Sequence, residues 1–156
     1  MNSINLFLNN GANIIWFMIG LPIISSLIVW LLRKSYVPKL TVVILSALAN
    51  LVFALSLYLS DGFYVSFPFA SYGLDIAFNI YEFSALFVTL TAVVFLLISV
   101  YSVVFMKEHT YSGQFMLYMF ISLAMINGAL LSDNLGIMLF FWEGLLCTLF
   151  GILLIN

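Results

Sequence analysis

Long apolar runs, separated by short polar breaks, account for most of the chain. About five of these runs reach the roughly 20 residues that a helix needs to cross a hydrocarbon core. They extend approximately over residues 12–32, 40–59, 83–106, 113–131 and 135–155. The pattern predicts an all-α, polytopic transmembrane helix bundle that forms a single domain, and it contains no stretch suited to a soluble domain.

Charged and polar residues mark the ends of the runs. Arg33-Lys34 closes the first run, Asp61-Gly62 the second and Lys107-Glu108-His109 the third, while Ser132-Asp133-Asn134 separates the last two. Asp133 is expected to cap the fifth helix, because a side-chain oxygen there accepts hydrogen bonds from free backbone N–H groups. His109 is expected to be an ordinary solvated side chain.

The one substantial loop, residues 60–80, lies between the second and third spans and is rich in aromatic residues, with Pro68 and Gly73 among them. Two interpretations fit it equally well. The first is a short hairpin lying at the surface of the membrane on its outer side, where aromatic rings prefer to lie. The second is an irregular aromatic linker.

Composition supports the membrane assignment. The chain is 65% hydrophobic and only 6% charged, whereas about 25% of the residues of a globular domain are charged. Its net charge of −2 gives no positive surface that would attract nucleic acid. Cys147 is the single cysteine and no phosphate-binding or metal-binding motif is present. The sequence therefore predicts a lipid environment, with no cofactor, no metal site and no chemistry within this chain itself.

Orientation follows from the positions of the four Lys and Arg residues. Arg33, Lys34 and Lys39 are assigned to the first connection and Lys107 to the third, and five crossings place these two connections on one side. The positive-inside rule makes that side cytoplasmic. We therefore predict a multi-pass protein of the cell (inner) membrane, in preference to the mitochondrial inner membrane, with its N-terminus outside and its C-terminus inside.

Glu143 breaks the apolar pattern within a span. It lies in the fifth run after Trp142, roughly 12 Å from Leu135 at about 1.5 Å per residue. This is close to the middle of a hydrocarbon core about 30 Å thick. An ionisable group at that depth costs at least about 2.5 kcal/mol, and such residues commonly mark ion or proton pathways. We predict that Glu143 is a proton relay; the alternative is a protonated carboxyl that only hydrogen-bonds a neighbouring helix.

Two stripes of polar or small residues bear on the role of Glu143, one on the fifth span and one on the fourth. One stripe of the fifth span contains Gly136, Phe140, Glu143, Cys147 and Gly151, with Gly144 and Thr148 beside it. Because small residues allow a second helix to approach closely, this stripe is expected to face protein. In the fourth span Gln114, Tyr118 and Ser122 recur every four residues. These three are weaker pathway candidates that hold water or relay protons, although a role in joining two helices is favoured.

Four short motifs occur in a characteristic order from Asp75 onward. They are Glu82-Phe83-Ser84-Ala85-Leu86-Phe87, Met106-Lys107-Glu108-His109, Ser132-Asp133-Asn134-Leu135 and Phe141-Trp142-Glu143-Gly144. Their order resembles that in the proton-translocating antiporter-like membrane subunits. These subunits occur in respiratory complex I (NADH dehydrogenase), in Mrp-type sodium/proton antiporters and in membrane-bound nickel–iron hydrogenases. The last two motifs carry the specific part of the resemblance.

The resemblance implies that Glu143 corresponds to the essential glutamate of that family and that the N-terminus is outside. In the family this glutamate works opposite a lysine at mid-membrane on the seventh of about fourteen helices. This chain has no such cation, since its Lys and Arg residues lie near span ends. We therefore interpret it as resembling the first third of such a subunit, either as a truncated form, a fragment or one part of a naturally split subunit.

Two functions are compatible with these features. In the first, the chain contributes to proton or sodium translocation through Glu143, as the ion-translocating part of an oxidoreductase or antiporter complex. In the second, it is a structural or assembly subunit without its own ion pathway. Both imply other membrane subunits of a respiratory, hydrogenase or antiporter complex as partners. Contact with a quinone, through aromatic and Met side chains, stays open.

Overall fold

The structure is a computed structural model that describes residues 11–33, 35–60, 62–69, 74–107 and 109–155. Its helices are α1 Gly11–Leu31, α2 Tyr36–Tyr58, α3 Glu82–Phe105, α4 Ser112–Leu131 and α5 Leu135–Leu153. All 5 are long and apolar enough to cross a membrane. The predicted all-α bundle of about five spans is confirmed.

The start of α2 differs from the prediction, which placed Pro38 ahead of the second span. The helix begins at Tyr36 and includes Pro38 in its first turn. Proline is tolerated there, since the first backbone N–H groups of a helix have no partner within the helix. Lys39 is consequently a buried residue of α2 and not, as predicted, part of the first connection.

The central helix of the bundle is α4, which packs most extensively against α1 and α5 and also contacts α3, while α2 packs against α1 and α3. Residues along the whole length of α4 are buried, from Ser112 to Leu131. In α5, by contrast, the rest of the described chain buries a single residue, Thr148. α5 therefore lies at the edge of the bundle and leaves most of its circumference uncovered.

The loop between α2 and α3 is a β-hairpin. Strand β1 spans Phe63–Phe69 and strand β2 spans Leu74–Ile80, and they pair antiparallel with Phe63 opposite Ile80. Gly62 precedes the hairpin with a φ of +32°, and a Cβ on it would lie 2.6 Å from the carbonyl oxygen of Ile80. This position therefore requires glycine. Of the two interpretations of the loop, the hairpin is correct.

The hairpin covers the end of the bundle at the turn between α4 and α5. Ala77, Phe78 and Ile80 of β2 are buried, and the backbone N–H of Asp133 donates to the carbonyl of Ala77 at 2.9 Å. The cap of α5 is Asn134, whose side-chain oxygen accepts from the N–H of Gly136 at 2.8 Å. The predicted cap, Asp133, is wrong, because the pairing with β2 holds that residue outside the helix.

Candidate functional site

The carboxyl of Glu143 lies on an exposed face of α5. Its neighbours one turn away on the same helix are also exposed, Phe140 at 68% and Leu146 at 49%, and Cys147 is an exposed free thiol. Within the described chain, this stripe is thus largely not packed against another helix, and the expectation that it faces protein stays a prediction. Of its members, Gly151 makes a close approach to α4.

A different stripe of α5 packs against α4, and it is defined by four close pairs. Phe141 lies against Gly128, Gly144 against Met125, Thr148 against Ser122 and Gly151 against Tyr118. In each pair a small residue on one helix receives a larger side chain of the other, or two small hydroxyl residues meet. The two helices are thus antiparallel and closely packed along their whole contact.

The geometry of a helix explains why Glu143 lies outside this contact. At 100° per residue, the four contact positions of α5 centre roughly 120° away from Glu143. The sequence contains small residues on both stripes, so it did not indicate which one meets α4. Which stripe of α5 meets α4 depends on where α4 places the side chains of Tyr118 and Met125 and the space above Gly128. This cannot be read from α5 alone.

Two of the three weaker pathway candidates take part in this packing. The hydroxyls of Ser122 and Thr148 lie 2.8 Å apart, and Thr148 also donates to the carbonyl of Leu145. The ring of Tyr118 lies against Gly151. The structure therefore supports the role of Ser122 and Tyr118 in joining two helices, the interpretation that the sequence favoured.

Gln114 is exposed near the start of α4, far along the helix from the depth of Glu143. Among the described residues, no hydrogen bond joins Gln114, Tyr118 or Ser122 to Glu143. Within the described chain, these four candidates thus do not form one continuous polar pathway.

Polar atoms of two asparagines lie inside the bundle, and Asn50 was not singled out from the sequence. Asn50 of α2 is 1% exposed, and neither its amide nitrogen nor its amide oxygen has a partner among the described residues. Asn127 of α4 donates to the carbonyl of Met18 at 2.8 Å, while its own oxygen is unpaired there. An asparagine within an apolar span is the signal that would have identified Asn50. Such unpaired amide groups are suited to binding a buried water.

The described cations gather at the end of the bundle opposite the hairpin. Arg33 follows α1, Lys39 lies near the start of α2 and Lys107 follows α3; Lys34 lies outside the described residues. In the part of the chain that the structure describes, no Lys or Arg lies at the depth of Glu143. A positive partner for that carboxyl is thus not supplied by the described helices.

No family model matches this chain, and a search of curated proteins finds no match. Its class rests on the fold itself. Five long apolar helices, packed around α4 and exposing large hydrophobic side chains, define a multi-pass α-helical membrane protein whose environment is a lipid bilayer.

Proposed function

We propose that this chain is a membrane subunit, or part of one, that contributes the carboxyl of Glu143 to a proton or sodium pathway. One observation carries the proposal: an ionisable residue lies about midway along a spanning helix, on a face that α4 does not cover. If that face met lipid, the carboxyl would cost at least about 2.5 kcal/mol. Further membrane helices that cover the face and offer the carboxyl a polar or charged partner would offset this cost, and the pathway would then run along the shared interface.

The titratable nature of the residue favours transport. A hydrogen bond between helices needs only an amide or a hydroxyl, such as the Ser122–Thr148 pair that joins α4 to α5. A carboxyl adds the ability to take up and release a proton or to coordinate a cation. The resemblance of residues 132–135 and 141–144 to the antiporter-like subunits supports the same assignment, and so makes redox-linked or antiporter complexes the proposed partners.

The test is Glu143→Gln in the complete membrane assembly, with transport followed in sealed vesicles by a pH-sensitive dye and, separately, by a sodium-sensitive dye. We expect the assembly to form normally and transport to be lost, because glutamine keeps the size and hydrogen bonding of the side chain without its proton exchange. The control is Glu82→Gln, since Glu82 is an exposed carboxyl in the first turn of α3. Normal transport in Glu143→Gln would refute the proposal.

The second function, a structural or assembly subunit, is favoured by a specific observation. The polar residues of α4 that flank α5 are engaged in helix packing, and the described helices offer no continuous polar lining to Glu143. On this view Glu143→Gln would reduce the amount of assembled complex, visible on a native gel, while the complex that does form transports at the normal rate.

A further inference from the structure

A polar cavity of about 530 Å³ opens at the end of the bundle opposite the hairpin. It lies between the segments that join α1 to α2 and α3 to α4. All three described Lys and Arg residues line it, namely Arg33, Lys39 and Lys107, and His109 lies beside them. Since this end of the helices meets the headgroup level of one leaflet, the cavity faces the phosphate layer of the membrane.

The positive charge in this cavity is not neutralised by the described residues. Lys39 is only 4% exposed, and its Nζ donates to the hydroxyl of Ser112 at 2.7 Å. Arg33 lies over the ring of Trp30 at 5.4 Å, and Lys107 lies over the ring of Tyr36 at 5.5 Å. All three partners are neutral, and no carboxylate is among the described residues that line the cavity. Among the described residues, the buried ammonium group of Lys39 thus has only a neutral partner, and a buried charge without a counter-ion is energetically costly.

The first turn of α4 adds to this electrostatic environment. The helix begins at Ser112, inside the cavity, and a Cβ on Gly113 would lie 2.7 Å from the Cβ of Arg33. The backbone at the start of α4 is thereby held against the cationic segment after α1. A helix N-terminus favours anions, because its free N–H groups and its dipole point toward them. Three cations and this helix end therefore line the same cavity.

A second cavity indicates which oxyanion fits. This cavity, of about 440 Å³, shares Tyr111 and Gln114 with the first and continues between α4 and α5, where Leu117 and Leu154 line it. A free phosphate would occupy only the first cavity. A phospholipid is long enough to occupy both, with its phosphate in the first cavity and an acyl chain against Leu117 and Leu154 in the second.

We propose that the cavity of Arg33, Lys39 and Lys107 binds the phosphate of an anionic phospholipid, whose acyl chain lies along the groove between α4 and α5. Lys39 provides the buried positive charge, and the two exposed cations select an anionic over a zwitterionic headgroup. The site lies at the opposite end of α5 from its cap, and it is independent of the proposed role of Glu143.

The experiment measures lipid retention by native mass spectrometry on the purified chain in mixtures of phosphatidylglycerol and phosphatidylcholine. The chain should retain phosphatidylglycerol preferentially. The double variant Arg33→Gln/Lys107→Gln should reduce that preference about 25-fold, taking roughly fivefold per cation. The matched control is Arg33→Lys/Lys107→Arg, which keeps both charges and should keep the preference. Both residues are exposed, so these variants are expected to fold, which circular dichroism checks.

A second arm adds inorganic phosphate in phosphatidylcholine alone and follows thermal unfolding. The proposal expects little protection from phosphate and strong protection from phosphatidylglycerol, with Lys39→Gln losing the latter. If inorganic phosphate protects as strongly as phosphatidylglycerol, the site binds a free anion and the lipid proposal is wrong. A preference for phosphatidylglycerol that survives in Arg33→Gln/Lys107→Gln, or no preference in the unmodified chain, would refute the site. A normal Glu143→Gln phenotype would leave this result unaffected.

Discussion

Single glycines determine how closely α4 and α5 approach each other. A Cβ on Gly128 would collide with the ring of Phe141, and one on Gly151 would lie 2.6 Å from the ring of Tyr118. In the membrane there is no hydrophobic driving force between helices, so such close packing and a few hydrogen bonds hold them together. The small residues on this stripe are therefore structural, and the nearby Glu143 is free of that role.

We predict that Gly128→Ala destabilises the contact between α4 and α5 by about 1–3 kcal/mol, because the ring of Phe141 has to move or the helices have to separate. The matched control is Gly20→Ala in α1, where nothing lies within 4 Å of the added Cβ. That change should be neutral or stabilising by up to about 1 kcal/mol. Thermal unfolding in detergent compares the two, and equal stability of both variants would contradict the packing described here.

Among the helices, α5 is the one that the rest of the described chain covers least. Thr148 is its one buried residue in the described chain, and large side chains such as Phe140 and Phe150 are exposed at 68% and 62%. Exposed apolar side chains are normal for a helix in lipid, but a carboxyl among them is not. The exposed face of α5 is therefore the face on which the proposed function depends.

We predict that a benzophenone amino acid placed at Phe140 forms cross-links to protein when the complete assembly is irradiated in its native membrane. The reference is the same amino acid at Phe87 of α3, a phenylalanine that is also exposed and lies at the corresponding depth. The products are identified on denaturing gels and by mass spectrometry. If position 140 yields only lipid adducts, then no helix covers Glu143 and the transport proposal loses its basis.

At the scale of the whole molecule, the two ends of the bundle differ in character. One end carries the β-hairpin and the α4–α5 turn, and the other carries Arg33, Lys39 and Lys107. Membrane insertion places the more cationic connections in the cytoplasm. The fold therefore has a chemical polarity that gives it one preferred orientation.

We predict that the cationic end is cytoplasmic. In a chain with Cys147→Ser, single cysteines replace Ser66 in the hairpin and Thr110 at the cationic end, both of which are exposed. A membrane-impermeant maleimide should label Ser66→Cys in intact cells and Thr110→Cys only after permeabilisation. The reverse labelling pattern would show that the bundle is inserted the other way round.

The sequence alone determined the number of spans, the position of the hairpin loop and the segregation of cations to one end. These features depend on local composition, since the length and hydropathy of a segment decide whether it crosses the membrane whatever its neighbours are. The same local information placed the ionisable Glu143 near the middle of the last span.

Only the tertiary structure decided which faces of the helices meet. Small residues lie on two stripes of α5, and the side chains of α4 select the one that excludes Glu143. Likewise, Lys39 became a buried residue because α2 starts before Pro38 and packs near Ser112, and Asn134 became the cap because β2 engages Asp133. The packing of Lys39 near Ser112 and of Asp133 against β2 depends on contacts between segments distant in sequence, which no local pattern encodes.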